Sequence, residues 1–481
     1  MFSRLILILI FSTLLSTSLL LSDNGFIDYQ VDRSFSSPSS LNTYDINEDG
    51  CPDILGSSWN GGLITIWYHQ GDTPVSWNRV DIDSGFIGAS FVNSADLNGD
   101  SVPEILWTAW YAYEVAYWIK QNDSLWIKYC IDSNFIQAHE VQAADIDNDG
   151  DIDVLGASAG LNQITLWLNQ GGEPLVWNEQ VICSTMTGAR SVWPVDLDLD
   201  GDLDVVGSAA GNHDIRWWEN DGQNPPGFTE HLVESNFYGA HMVRAGDVNS
   251  DSYPDIAAVG WQINQVAVWI NDGNNQSSWT QVVVDQYFNS ALGVELANLN
   301  SDNHLNIFAT SEGSGDLAWY ENDGLDPPGW NKQTIDYSLP GAWPLACADI
   351  DADGYIDIIS GANYSTYINW YKNITYTGIS EFIEPILIST PLNCFIHPNP
   401  FSATTTINLS LPESGNIEIS IYNIYGAKIN QLTNQFLTSG SYRFTWNGFN
   451  QFFKPVVPGV YFIQVKFKNT CLITQGILFI P

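Results

Sequence analysis

Basic residues are scarce in this chain. Fifteen Lys and Arg stand against 55 Asp and Glu in 481 residues, a formal net charge of −40. Such a chain cannot neutralise a phosphate backbone, so nucleic acid is excluded as a partner. An anionic membrane held through a basic patch is excluded on the same ground. Cysteine is sparse too: Cys51, Cys130, Cys183, Cys347, Cys394 and Cys471 are irregularly spaced and make no CxxC or zinc pattern. No Ser-His-Asp order, HExxH or phosphate loop is present. Beyond the N-terminus, no apolar run is long enough to cross a bilayer, so no span is expected in the mature chain. Disorder is excluded by a 44% hydrophobic content with 20 Trp, 21 Tyr and 22 Phe. Aromatic residues favour strands, and abundant Asp, Asn and Gly favour turns. The composition is that of a large, acidic, all-β protein of roughly two to four domains.

The N-terminal stretch MFSRLILILIFSTLLSTSLLL has one cation, Arg4, before an apolar segment that ends among Ser and Thr. This is a signal-peptide pattern, expected to cover residues 1–22. A permanent anchor is the alternative; the interrupting Ser and Thr and the missing second cationic flank favour cleavage. Export permits disulfides. Cys394 and Cys471, near the two ends of the last domain, are candidates for a pair, with buried free thiols as the alternative.

A nine-residue acidic loop recurs through the first three quarters of the chain. It reads DINEDGCPD from Asp45, DLNGDSVPE from Asp96, DIDNDGDID from Asp145, DLDLDGDLD from Asp196 and DVNSDSYPD from Asp247. NLNSDNHLN from Asn298 and DIDADGYID from Asp349 complete the series, at steps of 51, 49, 51, 51, 51 and 51 residues. Each loop lies between a strand of alternating small and apolar residues and a short apolar strand such as DILGSS or DVVGSA. A third strand carries Trp or Tyr, and a turn of NDG or NQG type leads to a fourth. Four short strands at a period near 50 make one propeller blade. The seventh unit lacks a fourth strand after Trp370, and its counterpart, FIDYQVD, stands at Phe26–Asp32 ahead of the first loop. The expected fold is a seven-bladed β-propeller over residues 23–376, its last blade completed by the N-terminal strand, which removes a free edge. A linker over 377–391 and a small β-sandwich over 392–481 follow.

The loops place oxygen donors at positions 1, 3, 5 and 9. These are Asp45, Asn47, Asp49 and Asp53 in the first loop, and Asp96, Asn98, Asp100 and Glu104 in the second. The third has Asp145, Asp147, Asp149 and Asp153, and the fourth Asp196, Asp198, Asp200 and Asp204. The fifth has Asp247, Asn249, Asp251 and Asp255, and the seventh Asp349, Asp351, Asp353 and Asp357. Crowded carboxylates repel one another and favour a hard cation between them. Calcium takes six to eight oxygens in a flexible shell, which suits mixed Asp and Asn with a backbone carbonyl and water. With no His or Cys at these positions, zinc, copper and iron are disfavoured. About six calcium sites are expected, since the sixth loop offers Asn298, Asn300, Asp302 and Asn306 with one formal charge. The loop is not an EF-hand, because its twelfth position falls inside a strand.

The motif D-x-[DN]-x-D-G-x-x-D followed by an aromatic strand resembles the FG-GAP (VCBS-type) repeats of integrin-α-like propellers, over about residues 26–375. The resemblance implies a calcium-stabilised seven-bladed propeller but no single activity. Ser101 and Ser252 stand where that family usually has Gly. The last ~90 residues, with HPNPFSATTTINLSLPESGNIEISIYN and KPVVPGVYFIQV, resemble the C-terminal sorting domain of type IX secretion. This implies type IX secretion machinery as a partner and a secreted or cell-surface location. The terminal TQGILFIP lacks the basic residues often found there.

Positions that vary between otherwise uniform repeats are the candidates for ligand contact. Six residues before each loop stand Ser39, Ser90, His139, Arg190, His241, Leu292 and Trp343. His139, Arg190 and His241 are expected side by side near the channel mouth, with Glu140 beside them. The turn after the second strand adds Trp59, Trp110, Tyr111, Trp261 and Tyr364 on the face opposite the loops. Aromatic rings beside His and Arg donors suit sugars and anionic groups. The bland alternative is that the rings pack on adjacent loops and backbone satisfies the His residues. The leading expectation is a binding or adhesion module for glycans or surface proteins. An enzyme, a polysaccharide lyase or hydrolase using His139 or His241 as base, is the rival, and a spacer in a surface assembly is a third reading.

Overall fold

A computed structural model describes residues 25–374 apart from 73, 123–124, 274–278 and 301, and residues 393–479 apart from short stretches between strands. The expected signal peptide and linker lie outside the described residues. The chain divides into two units after Thr377, and every named element in both is a β-strand. No helix among the described residues is long and apolar enough to cross a membrane.

Strands β1 (Phe26–Asp32), β2 (Pro38–Tyr44), β3 (Asp53–Ser58), β4 (Leu63–His69) and β5 (Trp77–Ser84) open the first unit. Strands β2 to β5 form an antiparallel sheet in chain order, with Leu41 opposite Gly56 and Leu55 opposite Ile66. Five further four-stranded sheets repeat this plan. The seventh combines Ala342–Ala348, Asp357–Ala362 and Ile368–Asn373 with β1 at its edge. Strand β1 runs antiparallel to Ile368–Asn373 and sets Phe26 opposite Asn373. The ring of seven sheets is thus closed by the N-terminal strand.

The second strand of every sheet is buried along its whole length. A strand covered on both faces has no polar side, which is why DILGSS and DVVGSA read as runs rather than alternations. Seven apolar clusters fill the spaces between neighbouring sheets. One joins Leu55 and Ile66 to Val92 and Trp107; another joins Leu41, Ile54 and Trp67 to Ile359, Ile368 and Trp370 across the closure. The aromatic residue of the third strand demands a small partner. A Cβ on Gly56, Gly156 or Gly207 would come within 2.6, 2.7 or 2.9 Å of the ring of Trp67, Trp167 or Trp218. The recurrent phenylalanines complete this packing. Phe35, Phe135 and Phe237 meet Trp67, Trp167 and Trp269 edge-on, with ring centroids 4.8, 4.9 and 4.9 Å apart.

The second unit has a three-stranded sheet (Asn393–His397, Thr405–Leu411, Gly440–Trp446) and a four-stranded one (Lys428–Leu437, Gly415–Asn423, Gly459–Phe467, Thr470–Phe479). Ile407 and Leu409 of the first share one core with Ile419, Ile421 and Ile463 of the second, which makes a sandwich. Phe401, from the PNPF motif, is buried there with its ring centroid 5.4 Å from that of Trp446. Cys394 and Cys471 fall on strands of different sheets, and their side chains lie outside the described ones.

Filling a glycine site under an indole tests the packing. Gly156→Val is expected to cost about 1–3 kcal/mol through overpacking, measured by urea denaturation followed through Trp fluorescence.

Candidate functional site

The acidic loops share one internal geometry. The first aspartate ties each loop across: Asp45 Oδ1 accepts the N–H of Asp49 at 3.0 Å and Oδ2 that of Gly50 at 2.8 Å. Asp96, Asp145 and Asp349 do the same in their loops. The sixth position takes positive φ, 87° at Gly50, 97° at Gly150 and 103° at Gly201. Ser101 and Ser252 adopt it as well, at 72° and 82°, against the steric preference of an L-residue.

The ninth residue fixes the loop to its own sheet. Asp153 Oδ2 accepts the N–H of Ile146 at 3.0 Å, and Oδ1 that of Asn169, on the third strand, at 2.8 Å. Asp53, Asp204 and Asp255 repeat the pair of bonds. These carboxylates are buried. Burial pushes Asp53, Glu104, Asp153, Asp204 and Asp255 up to about 7, and Asp357 to about 8, with neighbouring loop carboxylates adding to the effect.

A second device, not foreseen from the sequence, links neighbouring sheets. The Asn that opens each NDG or NQG turn donates its side-chain N–H to the loop of the preceding sheet. Asn169 reaches Leu97 O, Asn220 reaches Ile146 O and Asn322 reaches Val248 O, at 2.8, 2.9 and 2.7 Å. Its fixed place 24 residues after the third to seventh loops begin was the available signal.

In three loops the carboxylates converge. Oxygens of Asp145, Asp147 and Asp153, of Asp196, Asp198 and Asp204, and of Asp349, Asp351 and Asp353 lie within 4.8 Å of one another in each group. Asp147 Oδ1 and Asp196 Oδ1 are buried without a hydrogen-bond partner. Each of these three groups could hold a metal ion. The sixth loop has a single carboxylate, Asp302, which accepts from Asn300 Nδ2 at 2.6 Å as Asp49 and Asp251 accept from Asn47 and Asn249, and its Asn298 Oδ1 is buried without a partner.

On the opposite face the variable residues meet. Trp343 is the hub: its ring lies 5.9 Å from Trp59, 6.1 Å from His139 and 5.8 Å from His241. His139 and His241 are 5.1 Å apart edge-on, and Trp59 stacks near Trp110 and Tyr111, each at 5.8 Å. The Arg190 guanidinium lies 4.8 Å over Trp110. Both His rings are 5% exposed. Burial holds His241 down to about 3 and His139 well below the ordinary range, and the nearby Arg190 cation adds to both. His241 Nδ1 donates to Leu292 O at 2.9 Å. Burial also lowers Arg190, to about 10.

Two sequence candidates stand apart from this cluster. The Trp261 ring rests over Gly239, where a Cβ would sit 2.9 Å away. Glu140 serves a different network, along the axis. Its Oε1 accepts from Arg244 at 3.0 Å and from Gln142 at 2.7 Å, and Arg244 also donates to Glu295 at 2.9 Å. Asn42 donates to Asn93 and Asn93 to Gln142, each at 2.8 Å. Asn42, Asn93, Gln142, Arg244 and Glu295 line a cavity of about 310 Å³ with Trp193 and Trp343. The network came from the position three residues before each loop, which varies from Asn through Trp to Arg and Glu. Its members satisfy one another, as buried charges require.

The site therefore has a carboxylate-rich rim at one end of a closed β-propeller and an aromatic assembly at the other. Comparisons agree with that class. Residues 145–207, 196–258 and 298–360 match the FG-GAP-like repeat, and residues 395–478 match the secretion system C-terminal sorting domain. The chain carries FG-GAP-like repeats in its propeller and ends in a sorting domain that directs it through type IX secretion to the cell surface or beyond. No curated protein matches it. Among solved structures it is similar to PorZ, described as an essential bacterial surface component of the type-IX secretion system of Porphyromonas gingivalis. That match has a TM-score of 0.46 at 13% identity over 93% of this chain and 60% of PorZ. The extracellular domain of a putative one-component system from B. thetaiotaomicron has a TM-score of 0.46 at 8% identity, over 96% of this chain and 61% of that one. The chain spans less than two thirds of either.

The buried His pair makes stability depend on acid. Both folded values lie below the ordinary 6.5, so the unfolded chain binds protons that the folded chain does not. The contribution of this pair is complete above pH 6.5 and is lost as pH drops toward 3. His241→Asn should flatten that fall relative to wild type, as read from melting temperature across pH 7 to 4.

Proposed function

We propose that the protein is a cell-surface binding module whose propeller is clamped by calcium in its acidic loops and takes glycan on the opposite face. One observation carries the glycan reading: the turns of that face present exposed rings from Tyr111, Tyr238, Trp261, Tyr287, Tyr337 and Tyr364. Tyr287 and Tyr337 are each 82% exposed. Aromatic platforms of this kind stack on the apolar faces of sugar rings, and clustered exposed rings mark an interaction surface. The charge of −40 disfavours polyanions, so a neutral polysaccharide is the expected ligand. Base catalysis by His139 or His241 is disfavoured, since both are buried and their lowered basicity makes them weak proton acceptors. Binding should appear in affinity electrophoresis against neutral polysaccharides. Tyr111→Ala with Trp261→Ala should weaken it by about tenfold, from ~0.5–1.5 kcal/mol per ring. A folded protein that retains no tested saccharide leaves the spacer reading in its place.

For calcium, the supporting observations are the partnerless oxygens of Asp147 and Asp196 and the raised ninth carboxylates. All donors are oxygen, and their charge needs a divalent partner. The third loop would hold it through Asp145, Asp147, Asp149 and Asp153, and the first, second, fourth and fifth through the equivalent residues. Bound calcium supplies the counter-charge that lets these carboxylates stay ionised in a folded ring. A site at 100-fold excess over its Kd contributes about 2.7 kcal/mol. Calcium-loaded protein should therefore melt above a chelated sample, and coincident melting curves would overturn the reading.

A further inference from the structure

The seventh loop differs from the others in what faces its carboxylates. Lys372, on the strand Ile368–Asn373, forms an ion pair with Asp351 and another with Asp353 at 2.9 Å. Its side chain is 20% exposed. The equivalent residues elsewhere, 23 positions after each loop begins, are Tyr68, Ile119, Leu168, Glu219, Ile270 and Glu321. None is a cation. The ninth carboxylate differs too. Asp357 keeps the usual pair, from Ile350 N at 3.3 Å and Asn373 N at 2.7 Å, but its Oδ2 also accepts the indole N–H of Trp370 at 2.9 Å. In the third and fourth loops the ninth aspartate joins the first and third in the converging group. In the seventh that group is instead Asp349, Asp351 and Asp353, the last two being the partners of Lys372.

An ammonium among these oxygens does part of a metal's work. It neutralises charge and occupies donor directions, and it repels a divalent ion from the same space. Calcium would have to displace Lys372 and take Asp357 from Trp370 to assemble six or more oxygens. Asp351 Oδ1 is buried without a partner, as Asp147 Oδ1 and Asp196 Oδ1 are, so the seventh loop differs in the ammonium that faces its other oxygens.

We propose that Lys372 is a tethered counter-ion that fills the seventh loop in place of calcium, so that this blade, the one closed by β1, needs no metal. With the sixth loop poor in carboxylates, metal dependence is then confined to the first five blades. The proposal rests on the calcium reading of those loops, and its test separates the two.

Calcium bound per chain is measured on the full chain by equilibrium dialysis followed by elemental mass spectrometry. Lys372→Gln should bind one ion more than wild type. Asp353→Asn in an otherwise wild-type chain should leave the number unchanged, whereas Asp149→Asn, at the position that is Asp in each of the first five loops, should lower it by one. The proposal is overturned if Asp353→Asn loses an ion or if folded Lys372→Gln gains none. If wild type binds no calcium and Lys372→Gln also binds none, the calcium reading itself fails. If wild type binds six, that reading stands and only the role of Lys372 falls. Should Lys372→Gln fail to fold, the Asp353→Asn count decides alone.

Discussion

A buried carboxylate that accepts two backbone N–H groups, one from its loop and one from the third strand of its sheet, recurs through this propeller. The bond pair holds each acidic loop against its sheet, and the loop in turn offers the carbonyl that receives the next sheet's Asn. Loop, sheet and neighbour are thereby fixed by one repeated residue. The arrangement burdens the interior with negative charge, since burial raises those carboxylates toward neutrality. The rim of the propeller is therefore a place where structure and charge compensation are one problem. The chain meets it with converging oxygens in some loops, fewer carboxylates in the sixth and an ammonium in the seventh.

The two ends of the axis have different chemistry. At the loop end the walls carry a chain of paired polar groups from Asn42 to Glu295, with Arg244 held between two carboxylates. At the other end Trp343 crosses to three other blades and seals the His pair from water. The rings that remain open to solvent stand outside this plug, on the turns.

Much of this was legible in the sequence because the repeat constrains several things at once. The acidic positions need turn residues as well as donors, so the motif survives with its register intact. FIDYQVD could be placed in the last blade because it carries the pattern that the seventh repeat lacks, and the structure pairs it with Ile368–Asn373. The gathering of His139, Arg190 and His241 followed from equivalent positions lying side by side, although their burial did not. That depends on Trp343, a residue from a blade remote in sequence. The pairing of Arg244 with Glu140 was equally hidden, since the partners lie 104 residues apart and only the curvature of the ring brings them together. The NDG asparagines read as turn formers, because nothing local reveals a bond that reaches the preceding blade. Lys372 was passed over because its strand position says nothing of what its side chain meets.

Closure by β1 also sets an order of events. The first strand of the propeller to be synthesised waits for Ile368–Asn373, its partner, until nearly the whole ring exists. Bringing ends so distant together carries a loop-closure entropy that contacts between sequential blades avoid. Through that interval the edge of the unfinished seventh sheet is open, and the same strand from a second copy fits it equally well. Crowding of nascent chains thus favours exchanged rings.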